Sequence, residues 1–263
     1  MLTKFFFAVL RASLVVLVIL LVSREIENSG TAEGNLFVIF LSGIAFVLIV
    51  LEYTTTTPTL LEFRYARPYN LFRALIALLV ITTLLGFSET PMPLLDQGGK
   101  LQNLIDFMSA APMPAYFIMQ ALDYDPQAGA FWLFDNIIPA WLAGIVIAVV
   151  GGIWLWVSNW PFGKDGFDLW RNMPNFHPTS GKRATEILLR SIMLNTFAFV
   201  LFPFIFALVL GLFKSELGFD FKQTPVLSFW ILVAGLLIPV FLLFKSIALL
   251  KLCVLAESLR KID

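Results

Sequence analysis

The chain has 263 residues, of which 59% are hydrophobic and 14% are charged, and its formal net charge at pH 7 is zero. Soluble domains are about half apolar and about a quarter charged, so this chain has too few polar residues to cover a globule in water. The composition excludes a soluble enzyme, a nucleic-acid-binding domain and a disordered chain. It predicts an integral membrane protein.

Six stretches along the chain approach the roughly 20 apolar residues that a helix needs to cross a hydrocarbon core about 30 Å thick. They are 5–22, 36–51, 71–87, 137–157, 191–213 and 227–250. The sequence therefore predicts an all-α, polytopic membrane protein whose single transmembrane domain, residues 1–263, contains six helices.

The basic residues divide unevenly between the two sides of this arrangement. With the N-terminus, the 52–70 and 158–190 loops and the C-terminal tail on one side, that side carries fourteen Lys and Arg and the other side four. Cytoplasmic loops carry an excess of Lys and Arg, so we predict that both termini are cytoplasmic. Short loops and the lack of a possible disulfide favour a bacterial inner membrane.

One cysteine and one histidine restrict the chemistry of the chain. Cys253 alone cannot form an intrachain disulfide, a thiolate metal site or an iron–sulfur cluster. His177 alone cannot supply paired-imidazole haem ligation or a His-rich metal site. The sequence predicts no catalytic residue, no cofactor and no metal site, and it favours a protein that is not an enzyme.

Three basic residues, Arg11, Arg73 and Lys245, lie inside the predicted spans. Each is within about two helical turns of the end that we expect to be cytoplasmic. Long basic side chains at this depth extend toward the headgroups and bind anionic lipid. Alternatively, the three present cations at one depth to a substrate or partner. We predict contacts to anionic lipid or to a partner.

The fourth span carries small residues at every fourth position, namely Ala140, Gly144, Ala148 and Gly152. Residues four apart share one helix face, and small residues allow two helix backbones to approach closely. This face therefore predicts close helix packing, either within the chain or onto another subunit.

The external loop 88–136 contains apolar residues at helical spacing, first at 101–108 and again at 116–122. The pattern predicts one or two short amphipathic helices on the outer membrane surface. A re-entrant element within 98–122 is the alternative, because two short helices separated by a break form some channel filters.

The cytoplasmic loop 158–190 is both basic and aromatic. Its candidate docking residues are Trp160, Phe162, Phe167, Trp170, Arg171 and Phe176. Aromatic residues concentrate at the membrane interface, and together with Arg they also dominate protein-binding surfaces. Both interpretations remain open for this loop.

Three classes of function fit these features. The first is a non-catalytic subunit, scaffold or assembly factor of a larger membrane complex, which the small-residue face and the aromatic loop favour. The second is a channel or passive transporter subunit, and the third is a membrane enzyme that modifies lipids at the cytoplasmic headgroups. The expected partners are membrane lipids and other membrane subunits or a second copy of the chain, and no nucleic acid.

Overall fold

The structure is a computed structural model that describes residues 2–27, 35–55, 62–63, 66–86, 114–122, 133, 136–158, 160–161 and 184–260. Its helices are α1 (Leu2–Glu27), α2 (Asn35–Thr54), α3 (Arg67–Leu84), α4 (Pro114–Ala121), α5 (Ile137–Val157), α6 (Ala184–Leu217) and α7 (Pro225–Arg260). Among the described helices, all except the short α4 are long and apolar enough to cross a membrane. The predicted all-α class with six long apolar helices is confirmed for the described residues.

Several helices begin or end at residues other than those predicted from hydropathy. α5 coincides with the predicted 137–157, whereas α3 begins at Arg67 and ends at Leu84. Gly86 follows α3 with φ 69°, and Gly218 follows α6 with φ 63°. Glycine adopts this left-handed conformation without steric cost and commonly terminates helices. α6 and α7 are longer than predicted because hydropathy detects the part of a helix that lies in hydrocarbon, whereas the helix itself continues beyond it.

The described residues form two compact units. Unit 1 contains α1, α2, residues 62–70 and residues 221–230. Unit 2 contains the rest of α3, then α4, α5, α6 and the remainder of α7.

In unit 1, α1 and α2 pack along a seam whose positions recur every three, four or seven residues. The seam comprises Ala8, Ala12, Ile19, Val22 and Ile26 of α1, and Val38, Ser42, Ala45, Ile49 and Glu52 of α2. The guanidinium carbon of Arg11 lies 4.4 Å from the centroid of the Tyr53 ring. The first turns of α1 therefore lie beside the last turns of α2, so the two helices are antiparallel. Alternating three- and four-residue spacing is typical of such close helix pairs.

Two further contacts hold unit 1 together. Trp230 donates a hydrogen bond of 3.0 Å from its indole nitrogen to the hydroxyl of Ser23, near the end of α1. Phe63 is fully buried with φ 60°, and its carbonyl accepts hydrogen bonds from the backbone N–H of Ala66 and from Nδ2 of Asn70. A left-handed conformation is costly for a large side chain, and these bonds and the burial offset that cost at the entry to α3.

In unit 2, paired contacts define the relative direction of four helices. At one level, Val80 of α3 and Val240 of α7 both lie against Gly144 of α5. At a second level, the ring of Phe72 lies 5.5 Å from that of Trp154 and 6.2 Å from that of Phe244. The start of α3 and the ends of α5 and α7 are therefore at the same end of unit 2. α6 runs antiparallel to α7, because Thr196 bonds to Ser246 while Phe206 lies against Gly235. The start of α6 is thus at this end too.

Candidate functional site

The small-residue face of α5 lies inside unit 2. Ala140, Gly144, Ala148 and Gly152 are all buried. A Cβ atom added at Gly144 would lie 2.8 Å from Cγ2 of Val80, and one added at Gly152 would lie 2.7 Å from Cγ2 of Ile247. The neighbouring Gly151 is equally close to the Phe72 ring. This face is therefore occupied by α3 and α7, and it determines how closely these three helices approach.

Lys251 of α7 forms a polar contact that sequence reasoning did not identify. Its side chain is 7% exposed. The ammonium donates to the carbonyls of Leu155 and Ser158, at 2.7 Å in the case of Ser158, and approaches the carbonyl of Trp156 at 3.4 Å. The last carbonyls of a helix have no partners within the helix and carry its partial negative charge. Lys251 therefore caps the end of α5 and joins it to α7.

The three basic residues predicted to contact lipid fall in different units. Arg11 in unit 1 lies over the Tyr53 ring. In unit 2, the guanidinium carbon of Arg73 lies 5.3 Å from the centroid of the Phe241 ring, and Lys245 is one helical turn beyond Phe241 on α7. The structure therefore brings Arg73 and Lys245 to the same face of α7.

The outer face of α2 in unit 1 contains a shallow apolar hollow. It is lined by Phe40, Gly43, Ile44, Val47 and Leu48, and its lining is entirely apolar. A Cβ atom added at Gly43 would meet nothing within 4 Å. Positions 40, 43, 44, 47 and 48 follow the spacing of a single helix stripe, which is distinct from the seam that faces α1.

Glu52 lies in the last turn of α2 and is buried. The helix continues to Thr54, and the Glu52 residue is only 3% exposed. It occupies the seam with α1 at the level where α1 presents Ala8 and Ala12, both fully buried. α2 extends three residues beyond the predicted span 36–51, and Glu52 is the first of them.

The loop residues are only partly described. Trp160 is buried in unit 2, at 7% exposure. Phe162, Phe167, Trp170, Arg171 and Phe176 lie outside the described residues, as does the apolar stretch 101–108. Of the loop 88–136, which was predicted to be external, the structure describes residues 114–122, 133 and 136, and α4 overlaps the predicted apolar stretch 116–122.

α4 packs against α6 and also contacts α5. The ring centroids of Phe117 and Phe204 are 5.2 Å apart, and Ile118 and Leu122 are buried. Phe204 is nine residues, or about 14 Å of helix, from Phe213, the last residue before the charged Lys214. α4 therefore contacts α6 well inside its uncharged stretch, 191–213.

Comparison with known proteins adds no assignment to this geometry. No protein-family model matches the chain, and no curated protein or solved structure matches it.

Proposed function

We propose that the chain is a non-catalytic integral subunit of a larger membrane protein complex, and that its α1–α2 hairpin docks onto a transmembrane helix of another subunit. The observation that carries the proposal is the hollow on α2 around Gly43. It is a concave apolar surface on a long apolar helix, and the described residues of unit 1 leave it open.

The extent of packing supports a docking role for this hairpin. Only 17% of the apolar window of α1 and 17% of that of α2 are buried, as is also the case for α6, compared with 28% for α3, 44% for α5 and 56% for α7. The two helices of the hairpin thus contact each other along one seam, and most of their remaining surface is exposed. A partner helix can therefore reach α2 without displacing any described residue of unit 1.

A helix fits this hollow better than a flat surface does. Phe40 and Leu48 are eight residues, or about 12 Å, apart along α2, with Gly43 between them. Association of helices in lipid depends on close van der Waals contact, and a glycine flanked by large apolar side chains lets a second backbone approach. The hollow has the length of about two helical turns, which is the scale of one helix crossing.

Photo-crosslinking in the native membrane tests this docking surface. With p-benzoylphenylalanine in place of Phe40, we expect one discrete adduct with another membrane protein. The same probe in place of Phe197, which has almost the same exposure on α6 (65% against 64%), should give lipid adducts. Gly43→Leu should reduce the protein adduct about tenfold, because overfilling a helix interface costs on the order of 1–3 kcal/mol.

Gly211→Leu is the matched control, because Gly211 also has nothing within 4 Å of an added Cβ atom but lies on α6. It should leave the Phe40 adduct unchanged. Lipid adducts alone at both positions would contradict the proposal. An adduct of twice the mass of the chain would identify the partner as a second copy of the chain.

We also infer that both termini are cytoplasmic and that the membrane is a bacterial inner membrane. The excess of Lys and Arg in the loops on one side supports this orientation. It is also supported by unit 2, where the start of α3, the end of α5, the start of α6 and the end of α7 share one end.

A channel or passive transporter subunit is the second candidate, and α4 is the observation that favours it. An interfacial helix is buried only about 5–10 Å into the membrane boundary. α4 contacts α6 at Phe204, about 14 Å of helix inside its uncharged stretch. At that depth the ends of a short helix need protein or water as hydrogen-bond partners. This depth favours a re-entrant segment beside an aqueous path.

A further inference from the structure

Two cations from different helices of unit 2, Arg73 of α3 and Lys245 of α7, lie beside the same face of α7. The Arg73 guanidinium carbon is 5.3 Å from the centroid of the Phe241 ring, within the range of a cation–π contact. Lys245 lies four residues after Phe241, so its side chain projects from the same face of α7. Both side chains are half-buried. Both side chains also make other contacts within the chain. These contacts set the positions of the two side chains before a ligand binds.

The depth of the pair matches that of a lipid headgroup reached by long side chains. Lys245 is six residues, or about 9 Å, before Lys251, which caps the last turn of α5. Arg73 is likewise six residues after Arg67, the first residue of α3. Lys and Arg this far inside a span keep their stems in hydrocarbon and direct their charges toward the headgroups.

The neighbouring side chains suit the same interface. Trp154 is 46% exposed, and its ring packs 5.5 Å from that of Phe72, the residue before Arg73. Tryptophan is enriched at the level of the headgroups because its ring is apolar and its N–H is polar. The pair of cations is thus bordered by an aromatic residue typical of that level.

Charge favours an anion at this position. Two positive charges on one face attract an anion more strongly than either charge does alone. A phosphate has enough acceptor oxygens to bond to both side chains, and Arg in particular bonds phosphate oxygens in a fixed geometry. We propose that Arg73 and Lys245 form a two-point binding site for the phosphate of an anionic phospholipid. The proposal does not depend on the subunit function.

Lipid titration of the purified full chain in dodecylmaltoside micelles tests the site. Native mass spectrometry gives apparent dissociation constants for phosphatidylglycerol and phosphatidylcholine. The unmodified protein should prefer phosphatidylglycerol about tenfold or more, on the scale expected of two interfacial cations. The double variant Arg73→Gln/Lys245→Gln should lose this preference. Arg190→Gln, which removes an exposed cation of α6, should retain it.

Two further arms keep the test decisive. Millimolar inorganic phosphate should not displace phosphatidylglycerol, and displacement by phosphate would overturn the lipid as the ligand. The exchange Arg73→Lys/Lys245→Arg keeps both charges and should keep the preference, even if the Gln variant does not fold. Loss of the preference in the folded exchange variant, or its retention in the folded Gln variant, would overturn the site.

Discussion

Gly144→Leu is expected to reduce the stability of the protein by about 3 kcal/mol, at the upper end of the cost of overpacking. Gly144 is closely packed on two sides, because an added Cβ atom would lie 2.8 Å from Cγ2 of Val80 and 3.3 Å from Cγ2 of Val240. Both neighbours are short branched side chains that have little room to turn away. Helices α3, α5 and α7 must therefore separate to accommodate leucine.

The midpoint of thermal aggregation in mild detergent, followed by size-exclusion fluorescence, measures this loss. Gly211→Leu introduces the same side chain on α6, where nothing lies within 4 Å of an added Cβ atom. Removing a helical glycine is slightly favourable in itself, so this control should melt at or just above the unmodified protein. Equal midpoints for the two variants would show that α5 does not pack as closely as described.

Lys251→Met is expected to destabilise the protein by about 2–3 kcal/mol, the scale of hydrogen bonds made by a charged group. Methionine preserves much of the unbranched apolar stem but removes the ammonium that bonds to Leu155 and Ser158. The carbonyls at the end of α5 then lose their charged donor in a place where little water reaches them. Removal of one partner from a buried polar contact costs more than the contact itself contributes.

Lys222→Met is the control for the charge change, because Lys222 is exposed. Its thermal midpoint should stay close to that of the unmodified protein, since exposed charges contribute little. Lys251→Arg should retain part of the stability, because a guanidinium can still donate to the same carbonyls. If Lys251→Met and Lys222→Met melted together, Lys251 would not hold α5 and α7 together.

Hydropathy was sufficient to find all six long helices, because crossing hydrocarbon requires about 20 apolar residues whatever the helix packs against. It was less informative about where each helix ends, and two charged residues lie beyond the predicted ends. Glu52 and Lys251 each lie inside helices that continue beyond the predicted spans. A charge marks the end of a hydropathy window, whereas the helix ends only where its backbone hydrogen bonds do.

The spacing of small residues on α5 indicated that another backbone comes close, but the sequence could not say which one. The neighbours are Val80, Val240 and Ile247, from α3 and α7, which are distant in sequence. The sequence contains a weak indication that Lys251 is buried, because it lies seven residues after Phe244 on the buried face of α7. Its partners are about 95 residues away on α5, and only the tertiary structure brings them together.

The mass of the particle that the full chain forms when it is extracted from its native membrane in mild detergent tests the central claim most directly. A subunit that docks through α2 should purify in a fixed ratio with another membrane protein, and Gly43→Leu should release it as the 29.5 kDa chain alone. A chain that purifies by itself and carries ion flux in liposomes would contradict the subunit proposal and favour the channel.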